Sequence, residues 1–100
     1  MDQPRIEALR DRLMGLRGRL ANIKPREAVS LAEAIGRVRR KGGKEPTYVM
    51  HGRPPCRIPS HGSGHQGSLV KWTAKSILDL LEEDLDWLQA ELDEAGRTEA

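Results

Sequence analysis

Histidines and a cysteine crowd one stretch of the sequence, and their types could support metal binding. Cys56, His61 and His65 form a C-x4-H-x3-H pattern, and His51 precedes them. Zinc accepts such ligands, but structural zinc sites use four ligands, usually with closely spaced pairs. Exposed loop histidines are therefore the favoured interpretation, and we predict no metal site and no cofactor.

The same stretch contains a glycine-rich segment, GSGHQGS, at residues 62–68. It matches G-x4-G-S, but a P-loop needs a lysine after the second glycine, and Ser68 stands there. Nucleotide hydrolysis is therefore not expected, although backbone amides of this loop would still attract a phosphate group of RNA or DNA. Ser60 and His61 are adjacent, but no carboxylate is placed to orient the histidine, so a serine hydrolase is not expected either.

Positive charge is concentrated in the middle of the chain. Residues 25–71 hold 9 basic and 3 acidic side chains, whereas residues 72–100 hold 2 basic and 9 acidic. This distribution indicates a centre that faces a polyanion, and a tail that either pairs internally or meets a basic partner. A solvated basic face without a partner is the alternative. The predicted phosphate-binding residues are Arg37, Arg39, Arg40, Lys41, Lys44 and Arg53, with Arg57 on a following strand.

Two helices with heptad-like leucine stripes are predicted, one near each end of the sequence. The first stripe is Ile6, Leu9, Leu13, Leu16, Leu20 and Ile23, and the second is Ala74, Leu78, Leu81, Leu85, Leu88 and Leu92. The basic first helix can pack on the acidic last helix within one chain. Alternatively, the same stripes form a homodimer or a partner interface.

Between these helices the pattern predicts a short helix and three short strands. Pro25 suits the first turn of the short helix, and Gly36 suits its C-cap. The strands follow in GRVRRKGG, PTYVM and CRIP, and their short connections favour antiparallel pairing. We expect Val38 to face inward with its neighbouring arginines in solvent. The last helix is predicted to start at Thr73 and to run to about residue 95.

The predicted fold is a single α+β domain over residues 1–100, a three-stranded antiparallel sheet with helices packed on one face. Residues 1–23 form an additional N-terminal helix, and residues 87–100 form an acidic helical extension. The lone cysteine fits a reducing compartment, no apolar run reaches the ~20 residues of a membrane span, and the N-terminus lacks a signal-peptide pattern. A cytoplasmic location and no membrane contact are therefore expected.

Residues 24–86 resemble the HicA-like mRNA interferase toxins of bacterial toxin–antitoxin modules, which have a fold like that of double-stranded-RNA-binding domains. KPREAVSLAEAIGRVRRKGG resembles the family's first helix and strand, TYVM and CRIPSH its next two strands, and WTAKSILDLL its final helix. The resemblance implies an RNA-binding protein with an antitoxin-like partner.

The resemblance also implies a catalytic histidine in a turn where this sequence has Gly42, Gly43, Lys44 and Glu45. The family's histidine is therefore replaced, most simply by Lys44, which is a poor general base at neutral pH. His51 and His61 are the other candidates for the missing acid–base group. The protein is accordingly either a toxin with altered catalytic residues or a catalytically silent RNA binder. The alternative is a non-enzymatic interaction module that uses its leucine-striped helices.

Overall fold

The computed structural model of the chain describes residues 1–42 and 45–99. Within these residues it contains three α-helices and one three-stranded antiparallel sheet, so the predicted α+β class is confirmed. Single turns of 3-10 helix lie at Leu20–Asn22 and His65–Gly67. The helices are α1 (Gln3–Arg17), α2 (Pro25–Ile35) and α3 (Lys71–Glu99), and the strands are β1 (Val38–Arg40), β2 (Thr47–Val49) and β3 (Cys56–Arg57).

The first helix has a conventional start and an early end. The Asp2 carboxylate caps α1 by accepting a hydrogen bond of 3.0 Å from the Arg5 amide. The helix stops at Arg17, with Gly18 as its C-cap. The sequence predicted one helix through residue 23, and the low helix propensity of glycine explains the earlier end.

Helices α1 and α3 pack against each other in antiparallel directions. Arg17, at the end of α1, pairs with Asp79 near the start of α3, while Arg10 pairs with Asp86 further along; both distances are 2.9 Å. The first helix therefore packs on the last within one chain, which is the intramolecular alternative of the sequence analysis. The buried members of the two stripes are Ile6, Leu9, Leu13, Leu16, Ile23, Ala74, Leu78, Leu81 and Leu85.

The second helix matches its prediction at both ends. Pro25 occupies the first turn of α2, and Gly36 ends it with a φ of 126°, a conformation that glycine adopts without strain. The Gly36 amide donates to the Ala32 carbonyl at 3.2 Å. Ala28, Leu31, Ala32 and Ile35 form the buried face of α2, as the sequence predicts.

The sheet has the order β1–β2–β3, and its two faces differ in burial. Tyr48 and Cys56 lie opposite each other in the register, and both are buried against the helices. Because side chains alternate along a strand, the neighbours of these residues face the other side of the sheet. That second face carries Arg40, Thr47 and Arg57, which are aligned across the three strands.

The prediction for β1 was wrong in its inside–outside assignment. Val38 was expected to face inward, but it is 66 % exposed. Arg37 was expected to lie in solvent, but its side chain is buried at the start of the strand. A shift of one residue reverses every side chain of a strand, and a three-residue strand offers little pattern from which to fix the register.

The last helix is longer than predicted. It begins at Lys71, before Thr73, and it extends past residue 95 to Glu99. Its 29 residues correspond to a length of about 44 Å, and the longest dimension of the molecule is 51 Å. In the described part of the chain, no helix has both the length and the apolar character that a bilayer span requires.

Candidate nucleic-acid interface

The antiparallel arrangement of the elements gives the molecule two distinct ends. One end holds the start of α2, the β1–β2 connection, the segment after β3 and the start of α3. Contacts across this end join these parts of the chain. The Ile58 amide donates to the Pro46 carbonyl at 3.2 Å, and the Leu69 amide donates to the Ile23 carbonyl at 2.7 Å. We call this the loop end, and the opposite end the turn end, after the β2–β3 turn.

Two arginines are aligned across the sheet near the loop end. Thr47 of β2 pairs with Arg40 of β1 on one side and with Arg57 of β3 on the other. Two strand spacings separate the Cα atoms of the arginines by roughly 10 Å. Both arginines are exposed on the face of the sheet that points away from the helices.

Two more cations lie next to Arg40 at the edge of the sheet, and Arg39, opposite Tyr48 in the register, points to the helix-facing side. Arg39 and Lys41 are exposed on either side of Arg40 along the chain. We call Arg39, Arg40, Lys41 and Arg57 the basic patch. None of these four side chains forms an ion pair or a side-chain hydrogen bond with any residue in the ranges 1–42 and 45–99. No described residue compensates their charges, so these side chains are available to an external anion.

Two of the predicted phosphate-binding residues instead belong to an internal network. The Arg37 side chain is 0 % exposed, and it donates to the Asp84 carboxylate from Nε at 2.6 Å and from Nη2 at 2.8 Å. Arg53 donates from its Nε to the same carboxylate at 2.8 Å. The Arg37 guanidinium is enclosed, so the phosphate contact predicted for it does not fit the structure. The side chain of Arg53 is 15 % exposed, and its contact with phosphate stays a prediction.

The network satisfies nearly all of the donors of Arg37. Its Nη1 donates to the backbone carbonyls of Tyr48 at 2.9 Å and Pro54 at 2.8 Å. It thereby ties β2, the β2–β3 turn and α3 together at the turn end. A buried charge in such a position needs both a counter-ion and hydrogen bonds, and Asp84 with the two carbonyls provides them. We conclude that Arg37 has a structural role.

The candidate acid–base residues do not form one site. Lys44 lies outside the described residues. His51 belongs to the turn end, beside the Gly52 backbone that packs on Trp87. His61 follows β3 at the loop end, where it lines a small cavity with Lys24, Arg26 and others. The alternation of strand directions therefore places His51 and His61 at opposite ends of the sheet.

The cavity next to His61 offers little for acid–base chemistry. Its volume is about 310 Å³, and no carboxylate is among the described residues that line it. The nearest acid in the sequence of α2, Glu27, is paired with Arg19. Hydrogen bonding to the Arg19 guanidinium lowers the pKa of Glu27 to about 2. Glu27 is therefore ionised at neutral pH and held by Arg19. No carboxylate among the described residues of this cavity orients His61.

The glycine-rich loop is folded onto itself. The Gly64 amide donates to the Ser68 carbonyl at 2.8 Å, the Ser68 amide donates to the His65 carbonyl at 3.0 Å, and the Lys24 ammonium donates to the Gln66 carbonyl. A Cβ atom on Gly62 would lie 2.2 Å from the Gly67 carbonyl oxygen, so this position requires glycine. Because the amides of Gly64 and Ser68 are already engaged, neither can hold a phosphate group.

The cysteine and histidines are not arranged as a metal site. Cys56 is buried in the core, and burial raises the pKa of its thiol to about 11, which opposes formation of the thiolate that binds zinc. His51, His61 and His65 are exposed. In the ranges that the structure describes, no three His, Cys, Asp or Glu side chains come together as a metal-binding group.

Sequence reasoning missed two residues of α2. Arg26 of α2 faces the same groove as Arg39, and Glu33 lies along it. The helical periodicity identifies Arg26 as an exposed position, but it does not show which strand residue lies opposite.

Comparison with protein-family models, with curated proteins and with solved structures found no significant match for this chain, so the fold and the basic patch are the basis for the functional proposal.

Proposed function

We propose that the protein binds RNA through the basic patch, as a HicA-like protein of a toxin–antitoxin type module whose catalytic residues are altered or lost. The observation that carries the proposal is the group of four exposed cations at one end of the sheet, which form no ion pair within the described ranges. Lysine and arginine side chains that neutralise phosphate groups supply most of the sequence-independent affinity for nucleic acid. The choice of RNA over DNA rests on the resemblance of residues 24–86 to the toxin family.

The distribution of acidic residues favours the same surface. Asp79 and Asp86 are paired with arginines of α1, and Asp84 is enclosed by Arg37 and Arg53. The acids of the C-terminal extension lie on the part of α3 that leads away from the loop end. A polyanion approaching the basic patch is therefore not opposed by a neighbouring acidic surface of α3.

Binding is favoured over cleavage. An mRNA endoribonuclease needs an acid–base group held near the scissile phosphate, usually with a second group that orients it. His61 is the candidate nearest the basic patch, whereas His51 belongs to the turn end. If the protein does cleave RNA, His61→Ala should abolish the cleavage and His51→Ala should not.

The proposal is tested by measuring the affinity of a fluorescent RNA of mixed sequence at low salt. The double variant Arg40→Gln/Arg57→Gln should bind at least tenfold more weakly than the unaltered protein. The matched control is Arg5→Gln, which removes an exposed cation from α1 at the turn end. Equal losses in both variants, or no RNA binding by the unaltered protein, would contradict the proposal. The same samples, examined on a gel, should contain intact RNA.

The alternative function, a protein-interaction module, has one observation in its favour. Trp72 is 75 % exposed and Val70 is 43 % exposed, so an apolar surface lies at the start of α3. The leucine stripes cannot serve as this interface without unpacking α1 from α3. If self-association uses the apolar surface, sedimentation equilibrium should show a dimer that Trp72→Ala abolishes. A monomer at all concentrations would remove the homodimer from consideration.

A further inference from the structure

The cavity beside His61 lies between the start of α2 and the segment that follows β3. Its volume of about 310 Å³ is at the lower end of the range for sites that hold small ligands. Lys24 and Arg26 line one side of it, and Ser60 and His61 line the other. None of the four side chains of the basic patch is among the described residues that line it, so the cavity is separate from the surface proposed for RNA.

The polar side chains of this cavity are hydrogen-bond donors. Lys24 and Arg26 carry positive charge, and the His61 ring and the Ser60 hydroxyl each have a hydrogen to donate. Arg26, Ser60 and His61 form no ion pair or side-chain hydrogen bond with any residue in the described part of the chain. The cavity therefore presents positive charge and free donors to a ligand that enters it.

The neighbouring acid, Glu27, is already engaged elsewhere. Its carboxylate accepts hydrogen bonds from both Nη atoms of Arg19 and from the Lys24 amide. It lines a different cavity, between α1 and α2, together with Arg12 and Arg19. The donors of Arg26 are therefore not taken up by Glu27, although the two residues are adjacent in the sequence.

Hydrogen bonds join the two walls of the cavity. The Leu69 amide donates to the Ile23 carbonyl at 2.7 Å, and the Lys24 ammonium donates to the Gln66 carbonyl. An ammonium group has three N–H donors, so two of those of Lys24 remain for a ligand. Because these contacts fix the walls before a ligand binds, less conformational freedom is lost on binding.

We propose that this cavity binds the terminal phosphate of a phosphate monoester. The free oxygens of such a group accept hydrogen bonds from Arg26, Lys24 and Ser60, and charge-assisted bonds from arginine to phosphate are among the strongest in proteins. A phosphate monoester carries roughly −1.5 to −2 charges at pH 7, whereas each phosphodiester of a nucleic-acid backbone carries one. Two cations in one small cavity therefore favour the monoester, and this site does not depend on RNA binding at the basic patch.

The test is an NMR titration of backbone amides in a buffer free of phosphate, because it measures weak affinities and locates the site. Glycerol 3-phosphate is the monoester probe, and dimethyl phosphate is the diester control. The monoester should bind more tightly, with the largest shifts at residues 60–62. Arg26→Gln should weaken its binding by about tenfold or more, whereas Arg5→Gln, at the other end of the molecule, should not weaken it.

A second pair of variants tests the charge of the cavity directly. Ser60 is exposed, so the fold tolerates a longer side chain there. Ser60→Glu and Ser60→Gln both remove the hydroxyl and add side chains of the same size, but only the first adds a negative charge. Ser60→Glu should abolish monoester binding, and Ser60→Gln should retain most of it.

Two RNAs of one sequence, with a 5′-phosphate or a 5′-hydroxyl, distinguish the sources of the monoester. Tighter binding of the phosphorylated RNA, removed by Ser60→Glu, identifies an RNA end as the ligand. Equal affinity for the two RNAs, with binding of glycerol 3-phosphate, identifies a small molecule. Equal affinity for both RNAs without binding of glycerol 3-phosphate would overturn the inference, and so would equal affinity for monoester and diester or equal losses in Arg26→Gln and Arg5→Gln. RNA binding at the basic patch is tested separately, by Arg40→Gln/Arg57→Gln.

Discussion

Arg37 and Asp84 form a fully buried ion pair across 47 positions of sequence, with donor–acceptor distances of 2.6 and 2.8 Å. Both side chains are 0 % exposed. The pair joins the start of β1 to the middle of α3, and Arg53 adds a contact from the β2–β3 turn. The turn end of the molecule is thus held by ionic hydrogen bonds, whereas the four cations of the basic patch form no ion pair with any described residue.

Removing one member of the buried pair should destabilise the protein strongly. Asp84→Ala leaves the Arg37 charge buried without a counter-ion, and we expect a loss of about 3–5 kcal/mol in the free energy of unfolding. Asp86→Ala is the control, because it breaks the exposed pair with Arg10 and should cost less than about 1 kcal/mol. Urea denaturation measures both values. Similar small losses in the two variants would show that the buried pair has no special role.

Replacing both members should restore much of the lost stability. The double variant Arg37→Met/Asp84→Leu removes both charges of the pair and fills the space with apolar groups of comparable size. Arg53 loses Asp84 but is 15 % exposed and keeps its contact with Glu83. We expect this variant to be more stable in urea than Asp84→Ala alone. A double variant less stable than Asp84→Ala would mean that the backbone carbonyls of Tyr48 and Pro54 depend on the guanidinium.

The β2–β3 turn should be intolerant of a side chain at Gly52. This glycine has a φ of 84°, and an added Cβ atom would lie 2.9 Å from the ring of Trp87. Gly52→Ala therefore adds backbone strain and a steric clash, and we expect a loss of roughly 1–3 kcal/mol in urea denaturation. Gly15→Ala is the control, since a Cβ atom there meets nothing within 4 Å inside α1. That change should stabilise the protein by about 0.5–1 kcal/mol, and an equal effect of both changes would refute the clash.

Acid should weaken the contact between the first 3-10 turn and α2. Hydrogen bonding to Arg19 lowers the pKa of Glu27 from 4.5 to about 2. A carboxyl whose pKa is lowered by folding stabilises the native state above its unfolded pKa, and this contribution disappears as the pH falls from 4.5 towards 2. Glu27→Gln keeps an oxygen to accept the Lys24 amide but cannot titrate. Its free energy of unfolding should therefore fall less steeply over this range, and parallel curves for the two proteins would contradict the assignment.

The Cys56 thiol should be unreactive in the folded protein. Burial raises its pKa to about 11, so at pH 8 almost none of it is thiolate, and reagents have no access to it. Alkylation by iodoacetamide should become rapid only in denaturant. An exposed cysteine, introduced as Ser63→Cys together with Cys56→Ala, provides the control and should react quickly without denaturant. Equal rates for native Cys56 and this control would show that the core is open.

Much of the helical framework could be predicted from the sequence, because each signal is local. Alternating spacings of three and four residues indicate both leucine stripes, and Pro25 and Gly36 mark the two ends of α2. The opposite charges of α1 and α3 indicate that these helices can pair, and Arg10 and Arg17 do meet acids of α3. Short connections between the strands were enough to predict antiparallel pairing.

The roles of the arginines could not be predicted in the same way. Arg37 and Arg40 are both arginines in one basic stretch, yet one is enclosed and the other is exposed. The difference depends on Asp84, which is a single acid among several in α3 and is far from both in sequence. The strand register, which places Arg40 beside Thr47 and Arg57, depends likewise on pairing between segments. Neither relationship leaves a local pattern.

The salt dependence of RNA binding tests the central claim most directly. If the four cations of the basic patch each neutralise one phosphate, the logarithm of the association constant should fall with the logarithm of salt concentration with a slope of about −3 for single-stranded RNA. Arg40→Gln and Arg57→Gln should each reduce the size of this slope by about 0.7, and Arg5→Gln should leave it unchanged. A slope near zero, or a slope that Arg5→Gln reduces as much as Arg40→Gln does, would contradict RNA binding at the basic patch.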